Sequence, residues 1–216
     1  MRVLGSMVVG VVALLGAPTL ADALPPVNQV SAVFEGCVYS LQSQPYQGTG
    51  SRNARPVSYK VILQREQGPY NLCELEPASV QLLDTSEEPE LAITANAFDG
   101  VVAAYSNNPV TRSRPERRIH ILLIDTRPGE LRFARRSTLV SSFLSPEGGR
   151  EFSVVNLDGL TLHSGTLQVR GRLDGNMLAT VENPYRGRPE TFTGNHFVAI
   201  YPDFFTSLQR PVFITH

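Results

Sequence analysis

Six consecutive residues, Ile119-His120-Ile121-Leu122-Leu123-Ile124, form the strongest apolar run of the chain outside its first residues, with charge on both sides. A helix needs ten or more residues, so a run this short and this rich in branched aliphatics fits a strand buried on both faces. Thr126-Arg127-Pro128-Gly129 follows. Its proline fixes φ and its glycine accepts a positive φ. Leu131 and Phe133 then alternate with charged residues over 130–136. The segment reads as a central strand, a tight reversal and a second strand.

With 216 residues, 42% hydrophobic and 18% charged, the chain has an ordinary globular composition, large enough for one well-buried core. Arg2 supplies a short positive start, residues 3–15 are apolar, and Ala21 and Ala23 put small residues at both recognition positions. That is the pattern of a secretory signal peptide over 1–23. The apolar run is shorter than the roughly 20 residues of a membrane span. The mature chain, 24–216, is therefore expected to be one β-rich domain that spans no membrane and works in a periplasm or outside the cell.

Cys37 and Cys73 are the only cysteines, and in an oxidising compartment an even pair at this separation is expected to form one disulfide. No histidine lies near either, and the Cys-x-x-Cys spacing of zinc sites is missing, so neither a metal nor another cofactor is expected. The formal net charge of -1 conceals an uneven distribution: residues 74–99 hold seven acidic residues and no basic ones, whereas 112–136 hold eight arginines. The two stretches can neutralise each other within one fold. Lys60 is the only lysine.

Along the chain, residues 30–41 read as a first strand carrying Cys37, with Gly36 as a bulge or a close approach of backbone. Residues 42–56 read as a long loop. Val57, Tyr59, Val61 and Leu63 alternate with polar or outward positions, the period-two signature of a strand. Residues 71–75 suit a strand and 77–84 a short helix, with Pro77 in its first turn; both remain open. Asp99-Gly100 between two apolar runs predicts a hairpin. The same dipeptide at 158–159 and 174–175 predicts a meander through 151–181, and 191–201 a last long strand. Residues 137–144 and 203–210 suit short helices, the second capped by Asp203. About ten short strands with one or two short helices indicate an all-β fold, an antiparallel jelly-roll-like β-sandwich or a closed barrel.

Function is far less legible. No Gly-x-Ser-x-Gly elbow, His-Glu-x-x-His, Walker loop or Rossmann fingerprint is present. The strongest candidates are loops that combine tyrosine, paired arginine, glycine and proline: Tyr46, Arg52 and Arg55; Arg112 and Arg114; Tyr185, Arg186 and Arg188. Loops of sandwiches and barrels gather at strand ends, where arginine can fix an anionic group and tyrosine can stack on a sugar. In 130–136 the alternation puts Arg132 and Arg136 on one face and Arg135 on the other, so that strand presents no single basic patch. Glu74 and Glu76, two apart on a strand, have a spacing within the range of glycosidase carboxylates. His163 and His196 fall in neighbouring parts of the late meander, within reach of Asp158 or Asp174, while His120 lies in the central strand as a core residue. Calcium at the Asp-Gly turns is disfavoured, since one aspartate per turn supplies too few oxygens.

These features indicate an exported, non-enzymatic binding or accessory protein that recognises an anionic glycan, polysaccharide or envelope component, and no specific nucleic acid. One alternative is a glycan-cleaving hydrolase or lyase using Glu74, Glu76 or His163. Another is a structural subunit that binds protein partners by edge-strand pairing.

Overall fold

The structure is a computed structural model and describes residues 28–46, 58–108, 116–181, 189–204 and 210–215. Among these residues there are strands and turns and no helix. The strands are β1 (Asn28–Phe34), β2 (Cys37–Tyr46), β3 (Ser58–Gln67), β4 (Ala78–Thr85), β5 (Leu91–Asn96), β6 (Gly100–Asn107), β7 (Arg118–Asp125) and β8 (Arg132–Leu144). They continue as β9 (Arg150–Ser153), β10 (Val155–His163), β11 (Thr166–Leu173), β12 (Met177–Val181), β13 (Glu190–Thr191), β14 (His196–Tyr201) and β15 (Val212–Thr215).

Three antiparallel sheets result. The N-terminal sheet has the order β1-β2-β3-β4 and the C-terminal sheet the order β10-β11-β14-β15. A seven-stranded central sheet runs β13-β12-β8-β7-β6-β5, with β9 paired to β8. The arrangement is a sandwich of three sheets and not a closed barrel. Its logic is the run at 119–124. Ile119, Ile121 and Leu123 belong to one core, with Val169, Phe197 and Tyr201 of the C-terminal sheet. Leu122 and Ile124 belong to a second, with Tyr39, Leu41 and Leu63 of the N-terminal sheet. Because side chains alternate along a strand, a continuous apolar run is what a strand between two cores requires.

The hairpins at Asn96–Gly100 and Asp125–Arg132 form where expected, with φ of +97° at Gly100 and +120° at Gly129. Other readings change. Residues 30–41 are two strands joined by Glu35-Gly36, with φ of +49° and +76°. Two consecutive positive φ values make the two-residue type I′ turn that matches strand twist, so Gly36 is a turn residue, not a bulge. The expected close approach is nevertheless real: a Cβ on Gly36 would lie 2.5 Å from the Leu72 carbonyl carbon. Residues 42–46, read as loop, extend β2.

Residues 71–75 form no strand, which also removes the shared strand face expected for Glu74 and Glu76, and 78–85 are β4 instead of a helix. The segment 137–144 is likewise strand, not helix: it is the second half of β8, paired with β12 on one side and with β7 and then β9 on the other. Its Leu139, Val140, Phe143 and Leu144 satisfy a helical spacing, but Ser141 and Ser142 are also buried there. In the region 203–210, Asp203 and Phe204 lie in a turn, and 205–209 fall outside the described residues.

The meander also differs. Asp158-Gly159 is a bulge inside β10, and the hairpin turn is Ser164-Gly165, with φ of +48° and +78°. After Asp174-Gly175 the chain leaves the C-terminal sheet, and β12 pairs with β8. The long strand expected at 191–201 is two, β13 in the central sheet and β14 in the C-terminal one.

Candidate functional site

Cys37 and Cys73 form a buried disulfide, with Cα atoms 4.5 Å apart and a sequence separation of 36. It clamps the segment 68–77 onto the start of β2, aided by the Gly68 amide, which donates to the Gly36 carbonyl at 3.0 Å. A buried disulfide is compatible with a location outside the cytoplasm. Close to this segment Arg65 is 1% exposed. Its Nε donates to the Glu76 carbonyl and one Nη to the Gly129 carbonyl, both at 2.9 Å, which ties the N-terminal sheet to the β7–β8 turn. Tyr39, its cross-strand partner, has its phenol pKa raised by burial, against which the Arg65 charge acts.

A cleft of about 410 Å³ opens beside this clamp, lined by Glu35, Glu74, Leu72, Leu75, Thr126 and Pro128 with Cys37. Glu74, a predicted candidate, therefore faces a cavity. Its companion there is Glu35, which no motif marks; the only local signal for it is that Glu35-Gly36 can make a two-residue turn. His163 does not join them, since it ends β10 in the C-terminal sheet, across the central sheet from this cleft.

The opposite end of the N-terminal sheet carries Tyr46, where β2 and β3 meet at the Tyr46–Ser58 pair. The Lys60 ammonium sits 5.0 Å from the centre of the Tyr46 ring. Partial burial first, and then the neighbouring Asp84 carboxylate, push the Tyr46 phenol above its ordinary pKa. Tyr59 pairs with Thr85. The Asn108 amide donates to Thr85 Oγ1 at 3.1 Å, and the Ser86 hydroxyl donates to the Asn108 carbonyl at 3.3 Å. These bonds join the end of the N-terminal sheet to the end of β6. The residues flanking 47–57 and those flanking 109–115 are thereby neighbours.

Arg52, Arg55, Arg112 and Arg114 themselves lie outside the described residues, as do Tyr185, Arg186, Arg188 and residues 1–23, for which the sequence predicts a signal peptide. The chain flanking 182–188 is β12 and β13, on the far side of β8 from β6 and β7. The described residues that flank the first two segments thus lie at adjoining strand ends, and those that flank the third lie at another edge.

Among the described residues, the acidic and basic stretches meet through Arg117. Arg117 bonds Glu87 at 2.7 Å and Glu90 at 3.2 Å, and also Asn156 at 2.8 Å, while the second Glu90 oxygen accepts from the Leu157 amide at 2.7 Å. This network ties the residues just before β5 and β7 to β10, and Arg117 holds the Glu87 carboxyl below its usual pKa. Other arginines pair locally: Arg118 with Glu116, Arg127 with Asp125, Arg132 with Glu130. The hydrogen bonds from Arg127 hold Asp125 down to about 2.

On β8 a bulge changes the expected faces. Arg136 pairs with Leu122 and Arg132 with Asp125, positions on opposite faces of β7, so Arg132 and Arg136 do not share a side. Arg135 does face away from Arg136: it lies 5.0 Å over the Phe204 ring and donates to the Phe204 carbonyl at 2.6 Å. His120 stacks on Tyr105, 5.1 Å between centroids, and shares a 3.2 Å hydrogen bond with Thr138. His196 stands opposite Arg172, which bonds Asp158 at 3.1 Å. Among the described residues no three His, Cys, Asp or Glu side chains are grouped to hold a metal ion, and no helix is long and apolar enough to cross a membrane. No family model, curated protein or solved structure matches the chain.

Proposed function

We propose that this is an exported, periplasmic or secreted, non-enzymatic binding protein that holds an anionic polysaccharide or envelope glycan at the strand end marked by Tyr46 and Asn108. The observation that carries the proposal is the pair of bonds that Asn108 makes, donating to Thr85 and accepting from Ser86, which makes neighbours of the strand ends flanking two arginine-bearing segments. Arg52, Arg55, Arg112 and Arg114 supply planar donors for carboxylate or sulfate groups, and Tyr46 and Lys60 border the same end. Arg186 and Arg188, which fall between β12 and β13 in the sequence, are the weaker pair.

The test is a thermal-shift screen against acidic and neutral oligosaccharides at low and high salt. A ligand that binds only the folded state adds about 2.7 kcal/mol at 100 times its dissociation constant. The expected result is a salt-sensitive shift with acidic glycans that Arg52→Ala/Arg55→Ala or Arg112→Ala/Arg114→Ala removes and Arg186→Ala/Arg188→Ala preserves. Loss of the shift only in the Arg186/Arg188 variant would move the site to the other edge, and no shift with any acidic glycan would end the proposal.

One observation favours a second reading, a glycan hydrolase: Glu35 and Glu74 face one cleft. Hydrolysis of an oligosaccharide that both Glu35→Gln and Glu74→Gln abolish would replace the binding proposal.

A further inference from the structure

The face of the N-terminal sheet turned away from the core is built largely of glutamine and serine. Pairing aligns Gln29, Gln42, Ile62 and Gln81 in one row across all four strands. The next row is Ser31, Ser40, Gln64 and Ser79. On the other side of the glutamine row stand Gln44, Lys60 and Asp84, with the Tyr46–Ser58 pair beyond them. Gln81 donates to Asp84 at 2.8 Å, and Lys60 covers the Tyr46 ring. The second core draws on the opposite face, through Tyr39, Leu41, Val61 and Leu63. Gln29, Ser31, Ser79 and Gln81 are exposed, Gln42 and Gln64 half-exposed, and the short Ser40 is covered by its neighbours. With strands about 4.8 Å apart and same-face residues about 6.7 Å apart, each row spans roughly 14 Å and the rows form a continuous field.

From this juxtaposition we infer that the outer face of β1–β4 is a binding platform for a neutral, hydroxyl-rich polysaccharide laid across the strands, ending at Tyr46. It shares with the proposed function the premise of a glycan partner and the Tyr46 end, but rests on the glutamine and serine rows instead of the arginine-bearing segments. Each glutamine amide carries both donors and an acceptor, and each serine hydroxyl does both, as sugar hydroxyls do. Tyr46 adds an aromatic surface with a polar tip.

Charge and polarity decide among occupants. The two complete rows contain no charged residue, which gives a polyanion nothing to neutralise. Ile62 is the one apolar side chain in them, and beyond the serine row the exposed Val33 with its partner Val38 makes an apolar patch far smaller than a lipid surface would cover. Protein interface cores are enriched in aromatic, Met and Arg side chains and depleted in Ser, the reverse of these rows.

The experiment is co-sedimentation of the purified protein with insoluble cellulose, chitin and a β-1,3-glucan, in low salt and in about 1 M NaCl, where the screening length falls to about 3 Å. The expected result is retention on at least one of them that high salt leaves unchanged. Gln42→Ala/Gln81→Ala should weaken it at least tenfold with an unaltered melting temperature, while Arg52→Ala/Arg55→Ala leaves it intact. Three results would overturn the inference: undiminished retention of Gln42→Ala/Gln81→Ala, no retention on any neutral polysaccharide, or a self-associated wild type that this double variant dissociates. Failure of the arginine-loop proposal reads out separately, as the missing salt-sensitive shift with acidic glycans.

Discussion

Ile121 and Leu122 are neighbours in one strand, 0% and 2% exposed, yet they enter different cores. Truncating either to alanine removes a buried aliphatic body and leaves a cavity, which costs about 2–5 kcal/mol. Against a total stability of about 5–15 kcal/mol and a urea slope of roughly 1–3 kcal/mol per M, each substitution should lower the unfolding midpoint by roughly 1 M or more. In a two-layer sandwich one of the two would face solvent and cost within about 0.5 kcal/mol. Thr161→Ala, at an exposed position of β10, supplies that baseline. Urea unfolding followed by circular dichroism measures all three. Because the two side chains share no core, the single costs should add to within about 0.5 kcal/mol in the double variant if it still folds. A cost below about 1 kcal/mol at either position, against the 2–5 kcal/mol of a packed site, would remove one of the two packed interfaces and with it the three-sheet arrangement.

Burial first, then the charges of Arg118 and Arg136, depress the His120 pKa to about 4. The unfolded chain therefore takes up a proton near pH 6.5 that the native one refuses. Stability should fall as pH drops from about 6.5 to 4, by at most about 3 kcal/mol because the ring is partly exposed. His120→Gln should flatten that part of the stability–pH curve, and parallel wild-type and variant curves would count against it. Replacing Cys37 and Cys73 by serine opens a closure with a sequence separation of 36 and should cost about 4 kcal/mol in the chain-entropy model; an unchanged urea midpoint would contradict this. At Gly171 an added Cβ would overlap the Asn156 carbonyl oxygen and lie 2.7 Å from the Phe197 ring, so Gly171→Ala should cost about 1–3 kcal/mol or more. Gly159→Ala, with nothing within 4 Å, should stay near zero, and equal melting temperatures for the two would refute the packing there.

The elements that are legible from residues alone are those whose signal is local and whose alternatives are poor. The run at 119–124 has no polar face to leave in water, so a strand between two cores is its only good solution. Asp99-Gly100 and Pro128-Gly129 announce their hairpins because few residues accept the required φ. Asp158-Gly159 shows where that rule ends: the same dipeptide sits in a bulge, and Ser164-Gly165 makes the turn. Glu35-Gly36 is hidden because an apolar stretch runs across it and glutamate is an uncommon residue at positive φ. In β8 the spacing of Leu139, Val140, Phe143 and Leu144 fits a helix as well as a strand, and partners on both sides decide the matter. The β12 partners lie from 35 residues away, Met177 opposite Ser142, to 43 residues away, Val181 opposite Thr138. No pattern within 137–144 can report a pairing set at that distance.

The same physics explains why the candidate sites are harder to read than the strands. A turn or a buried run is written in consecutive residues, but a sheet face is written in every second residue of several strands, and only the register brings those residues together. Gln29, Gln42 and Gln81 are separated by up to 52 positions, and each alone is an ordinary strand residue on a solvated face; they share a row because β2 pairs with β1 and β3, and β3 with β4. A one-residue slip of β2 or β3 would turn its outer residues inward and expose Leu41 or Leu63, both fully buried. The apolar alternation that holds the second core together is therefore also what holds the outer rows in register. Weakening the core at Leu41 or Leu63 should lower the melting temperature and disturb the outer face together, whereas Gln42→Ala/Gln81→Ala alters the face and leaves the core as it is. Lost retention on a neutral polysaccharide at an unchanged melting temperature thus reports on the glutamine row itself, and lost retention that tracks the melting temperature reports only on the register beneath it.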